Sequence, residues 1–144
     1  MTEYVIDPPA TPSVAIPDCA ARFPVRRIFC VGQNYAAHAR EMGKNPDRKP
    51  PFFFTRPADA VVDDNAEVSY PPEIDNFNYE AELQDMLRDV PEQVVIVSRT
   101  MELKKVDLIY SGTPAGIGPL LPGDLCVIEI DDPAKLATTI TARK

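Results

Sequence analysis

Apolar and polar positions along the chain fall into short segments, most of them with the period of a strand. VRRIFCVG (residues 25–32) becomes apolar at Ile28, Cys30 and Val31 and predicts a strand entering the core. FFFTRP (52–57) predicts a short aromatic strand ended by proline. AEVSYPP (66–72) and FNYEAEL (77–83) alternate as half-buried strands do. DLIYSGTPAGIGP (107–119) reads as a strand running into a glycine-rich loop. After the turn PGD (122–124), LCVIEI (125–130) and LATTIT (136–141) read as a terminal strand pair.

Two stretches carry helical spacing. Asn34 is a candidate N-cap and Gly43 a candidate C-terminal stop for a helix between them. In DVPEQVVIVSRTMEL (89–103), Asp89 and Glu92 have capping-box spacing, and Pro91 suits a first turn. Residues 1–24, rich in Pro and Ala, predict an extended arm, and residues 25–144 a single domain. The expected class is α+β, mainly β, with two short helices.

Composition narrows the function more than the fold. The chain has 144 residues, enough for one core but not for two independent domains. Of its 16 prolines, ten cluster at 8–17, 46–57 and 71–72, which marks stiff extended connections. A net charge of −7 argues against a nucleic-acid partner, because phosphate backbones select a positive surface. Cys19, Cys30 and Cys126 lack metal-type spacing, and their odd number argues against a disulfide framework. A reducing, cytoplasmic setting is expected. Residues 1–20 show no secretory leader pattern, and no apolar run approaches the roughly 20 residues of a membrane span, so no membrane partner is expected.

Three constellations carry possible chemistry. His38 and Glu41 stand at i and i+3 on the first helix, where a glutamate orients an imidazole and raises its basicity. The same spacing also fits an incidental pair on an exposed face. Glu80 and Glu82 stand at i and i+2 on a strand, so both carboxylates leave one side. That arrangement suits a hard divalent cation, and equally the solvent face of an edge strand. SGTPAGIG (111–118) brings backbone N–H groups and the Thr113 hydroxyl to a position where an anion can be held. It also fits a tight hairpin, and it lacks the lysine of a nucleotide phosphate loop.

In chain order, CVGQNYAAHAREMG, PPFFFTRPADAVV, NYEAEL and DLIYSGTPAGIGPLLPGD resemble the fumarylacetoacetate hydrolase superfamily. The N-terminal half, with RFPVRRIFCVGQNYAAHAREMG, most resembles its fumarylpyruvate hydrolases. The resemblance implies a mixed β-sandwich roll and a homodimer. It implies that His38 and Glu41 activate water, and that Glu80 and Glu82 are two of three carboxylates on Mg²⁺ (or Mn²⁺ or Ca²⁺). Gly112 and Thr113 would hold the substrate carboxylate. The implied substrate is a small 2,4-dioxo acid, and the implied reaction is hydrolysis of its carbon–carbon bond, fumarylpyruvate giving fumarate and pyruvate.

The chain also departs from that pattern. YEAEL runs directly into QDMLRDVPE, so the family's middle segment is missing. Its third metal-binding carboxylate and its basic pocket residues go with it. Asp85 and Asp89 are the nearest replacements, but Asp85 has the wrong strand parity relative to Glu82. Gln33, Arg56 and Ser111 replace a usual arginine, lysine and threonine. Two protein carboxylates imply a weakly bound cation. Besides the acylpyruvate hydrolase, two readings follow. One is a catalytically impaired remnant acting as a folded or oligomeric binding protein. The other is a 2-oxo acid decarboxylase, isomerase or hydratase.

Overall fold

The computed structural model describes residues 3–43, 45, 51–79, 86–114, 116–129 and 135–143. The strand most clearly written in the sequence is also the most buried. β3 (Arg27–Gly32) buries Ile28, Phe29, Cys30 and Val31 in succession, with no alternation. A continuous apolar run of this kind belongs to a strand covered on both faces. β3 is the middle strand of a three-stranded sheet, antiparallel to β4 (Phe52–Arg56) and parallel to β7 (Asp107–Tyr110).

A second three-stranded sheet has the order β5, β10, β9. β10 (Lys135–Thr141) runs parallel to β5 (Ala66–Ser69) and antiparallel to β9 (Leu125–Glu129). The expected terminal pair, β9 and β10, thus forms as an antiparallel ladder. β6 (Asn78–Tyr79) pairs with β8 (Gly118–Pro119). Both three-stranded sheets mix parallel and antiparallel pairs, and the only helices among the described residues are α1 (Ala36–Glu41), α2 (Val90–Ser98) and one 3-10 turn at 58–60. The fold is therefore mainly β with two short helices, as the sequence leads one to expect.

Three local expectations change. Residues 13–24 are not an extended arm, because β1 (Ser13–Ile16) and β2 (Cys19–Pro24) pair as an antiparallel hairpin. Asp18, at φ 56°, turns the hairpin, and Val14 and Phe23 pack on the Val25, Ile28 and Cys30 cluster. That burial is what an isolated arm would lack. α2 stops at Ser98 instead of reaching residue 103, although its start is as expected: the Asp89 carboxylate accepts from the Glu92 N–H at 2.9 Å.

Asn34 does not cap α1, where the N-cap residue is Tyr35 and makes no side-chain cap bond. The Asn34 side chain is instead buried and spent on other segments. Gly43, at φ 69°, does end that helix, with its N–H on the Arg40 carbonyl at 2.9 Å.

Candidate active site

α1 is held at its start by side chains that reach across the sequence. Gln33 sits in the left-handed region at φ 63° and turns the chain off the end of β3. Next to it the Asn34 amide donates to the carbonyls of Ser111 at 2.9 Å and Arg88 at 3.2 Å, and its oxygen accepts from the Arg88 N–H at 3.0 Å. The Tyr35 hydroxyl lies 3.4 Å from the Ser111 hydroxyl. These bonds pin α1 to the loop that follows β7. Ala39 is buried and seats the helix, which places His38 beside it at a half-buried position.

His38 Nδ1 lies 3.6 Å from Glu41 Oε2. That is an ion-pair distance and longer than a hydrogen bond. The Nδ1 atom is buried and has no hydrogen-bond partner among the described residues. Glu41 is more exposed, and the same oxygen accepts from the Gly116 N–H at 3.4 Å. The glycine-rich loop therefore contacts the acid of the pair.

A cavity of about 370 Å³ opens between α1, β4 and that loop. His38 and Met42 line it from the helix, and Gly112 and Thr113 from the loop. Gly112 is buried at φ 111°, and a Cβ there would fall 2.8 Å from the Val31 carbonyl oxygen. Only glycine lets the loop close on the end of β3 in this way. Three positions singled out in the sequence, His38, Gly112 and Thr113, thus share one cavity, with Glu41 behind His38.

The other two, Glu80 and Glu82, lie outside the described residues. Asp85 lies outside them as well, and Asp89 is engaged as the cap of α2. Among the described residues no group of three His, Cys, Asp or Glu side chains would hold a metal ion.

Sequence reasoning did not place Phe52, Phe54, Arg56 or Tyr110 in the site, yet all four line the cavity. For the first three the signal was present in FFFTR, where alternate residues leave one face of a strand.

A sequence profile described as "Fumarylacetoacetate (FAA) hydrolase C-terminal" matches residues 27–84 and 82–141. The two matched stretches meet at 82–84, where YEAEL runs into QDMLRDVPE. Superposition on a fumarylpyruvate hydrolase from Pseudomonas aeruginosa, solved with Mn²⁺ and pyruvate, gives a TM-score of 0.89 at 26% identity. It covers 98% of this chain and 100% of that one.

Two curated relatives are oxaloacetate tautomerases. The mitochondrial protein of Arabidopsis thaliana is 36% identical over 74 residues, covering 49% of this chain and 33% of that protein. The protein from Escherichia coli is 34% identical over 61 residues, covering 42% and 27%. The matches span about a third of the length of these curated relatives. No helix among the described residues is long and apolar enough to cross a membrane.

Proposed function

Because the chain belongs to the fumarylacetoacetate hydrolase family, we propose that it hydrolyses the carbon–carbon bond of an acylpyruvate, fumarylpyruvate giving fumarate and pyruvate. The observation that carries this reading is the convergence of His38, Gly112 and Thr113 on one cavity, with Glu41 3.6 Å behind the imidazole.

In this reading the Thr113 hydroxyl and the Gly112 backbone hold the carboxylate of the pyruvyl half. His38 Nδ1 faces Glu41, which leaves Nε2 as the base toward water. Nε2 takes one proton from water, and the oxygen adds to the distal carbonyl. The bond between C3 and C4 breaks, its electron pair passes into the pyruvate enolate, and C3 regains a proton. Glu41 stabilises the imidazolium formed in between, and the Gly116 N–H fixes the carboxylate. Glu80 and Glu82 would hold a divalent cation, Mg²⁺ or Mn²⁺, whose Lewis acidity favours the enolate.

A second reading is supported by the names of the curated relatives: keto–enol isomerisation of a 2-oxo diacid such as oxaloacetate. The same His38 would then move a proton between C3 and the 2-oxo oxygen, without water. Proton NMR of the purified chain with each substrate and excess Mg²⁺ separates the two. Fumarate and pyruvate appearing in equal amounts supports hydrolysis. Accelerated keto–enol exchange of oxaloacetate, with fumarylpyruvate left intact, supports the second reading.

A further inference from the structure

One wall of the cavity takes no part in the chemistry above. Phe52, Phe54 and Arg56 stand at alternate positions of β4, an edge strand, so all three leave the same face. All three are exposed, and all three line the cavity. The two rings are 5.9 Å apart and tilted by 31°, and the Arg56 guanidinium lies 5.5 Å from the Phe54 centroid. Among the described residues Arg56 enters no ion pair.

The register gives this stripe a direction. Phe52 is opposite Gly32, and Arg56 is opposite Ile28. Gly112 approaches β3 at Val31 and the following Asn34 and Tyr35, so the stripe starts beside the Gly112–Thr113 loop and runs away from it. With a rise of about 3.3 Å per residue, the Cα atoms of Phe52 and Arg56 are roughly 13 Å apart. Gly32 lets the Phe52 ring lie across β3, since a Cβ there would meet the ring at 2.2 Å.

The geometry points to the β4 stripe as the subsite for the acyl half of the substrate, selecting a planar, unsaturated acyl group that ends in a carboxylate. Aromatic faces in series favour a flat conjugated chain. A guanidinium beyond them donates two parallel hydrogen bonds to a carboxylate. A four-carbon 2-oxo diacid held at Thr113 would leave much of the stripe uncovered. Which half of the ligand faces which end rests on the acylpyruvate reading, but the subsite can be tested without turnover.

The test is calorimetric binding of fumarate, succinate and fumaramide to the full chain and to its Arg56→Gln, Arg56→Lys and Phe54→Leu variants. Lys104→Gln, on the exposed surface, is the control, and thermal melts check folding. Arg56→Gln is expected to weaken fumarate binding on the order of 10- to 100-fold, with little change for neutral fumaramide. Arg56→Lys should restore only part of the affinity, and Phe54→Leu should narrow the preference for fumarate over succinate. Fumarate binding that survives Arg56→Gln, equal weakening of all three ligands, or no fumarate binding to the unmutated chain would overturn the subsite. Arg56-dependent fumarate binding without hydrolysis of fumarylpyruvate would uphold the subsite and count against the hydrolase reading. Hydrolysis with a KM indifferent to Arg56→Gln would do the reverse.

Discussion

Arg27 and Asp107 are direct partners across the parallel strands β3 and β7, and their side chains join as a two-pronged pair. Nη2 lies 2.5 Å from Oδ2, and Nε lies 3.1 Å from Oδ1. The Asp107 side chain is 3% exposed. Its hydrogen bond from Arg27 is the main force that holds its pKa down to about 2, against burial, which pushes the other way. The Lys104 N–H and the Arg26 guanidinium act in the same direction as Arg27. The pair fixes the parallel neighbour of β3, and with it the strand that leads into the Gly112–Thr113 loop.

A pH dependence follows from that pair. Asp107 binds its proton less tightly in the folded chain, at about 2, than at its ordinary value of 3.8. The stabilisation is therefore complete above the ordinary value and is lost as pH falls from there through the folded value. Arg27→Gln should raise the Asp107 pKa and move the midpoint of acid unfolding to higher pH. Its destabilising effect should be largest near neutrality and should fade at the acid end. Circular dichroism melts across pH 2–7 for the two proteins check this.

Gly112 and Gly32 should respond differently to alanine. At Gly112 the new Cβ meets backbone at 2.8 Å, on a residue held at φ 111°. Gly112→Ala should cost roughly 1–3 kcal/mol in strain and displace the loop. At Gly32 the nearest atoms to the Cβ belong to the ring of Phe52, which is 49% exposed and can swing aside. Gly32→Ala should cost less than about 1 kcal/mol, yet alter ligand affinity. Chemical denaturation and ligand titration of both variants would show the contrast.

Asn34→Leu should be among the most damaging single changes near the site. The residue is 1% exposed and makes three hydrogen bonds to backbone groups of Arg88 and Ser111. A leucine leaves those groups without their partners, at about 1–3 kcal/mol for each one that stays dry. A cooperative urea transition shifted to lower concentration, with an unchanged slope, is the expected result.

The elements legible in the sequence are those fixed by local chemistry. β3 announced itself as an apolar run, α2 by the Asp89 cap and α1 by the Gly43 stop. The β1–β2 hairpin was hidden, because its turn uses Pro17 and a left-handed Asp18 with no glycine, and because Val14 and Phe23 pack on a cluster that includes Ile28 and Cys30 of the next strand. Asn34 looked like a cap because its type suits one. Its partners, Arg88 and Ser111, are brought near only by the tertiary fold. The nearness of His38 to Glu41 was legible, because their spacing on one helix is local. The β4 wall depends on strand pairing, and alternation alone does not say which face meets a cavity.

Metal dependence offers a check on Glu80 and Glu82. On the proposed reading, in which Glu80 and Glu82 are the protein ligands, the chain should need more free Mg²⁺ than a site with three carboxylates, and excess chelator should stop turnover. Glu80→Gln should raise further the Mg²⁺ concentration for half-maximal rate, read from initial rates over a Mg²⁺ series.

His38 as the base, in a cavity that takes an acylpyruvate, is best checked by steady-state hydrolysis of fumarylpyruvate at saturating Mg²⁺. Equal release of fumarate and pyruvate is expected, slower than the ordinary enzyme range of about 1–1,000 per second, as two carboxylates would hold the cation weakly. His38→Ala should reduce the rate on the order of 100-fold or more, with its thermal midpoint close to that of the unmutated chain. Equal rates for the two proteins, or no fumarate above the protein-free control, would contradict it.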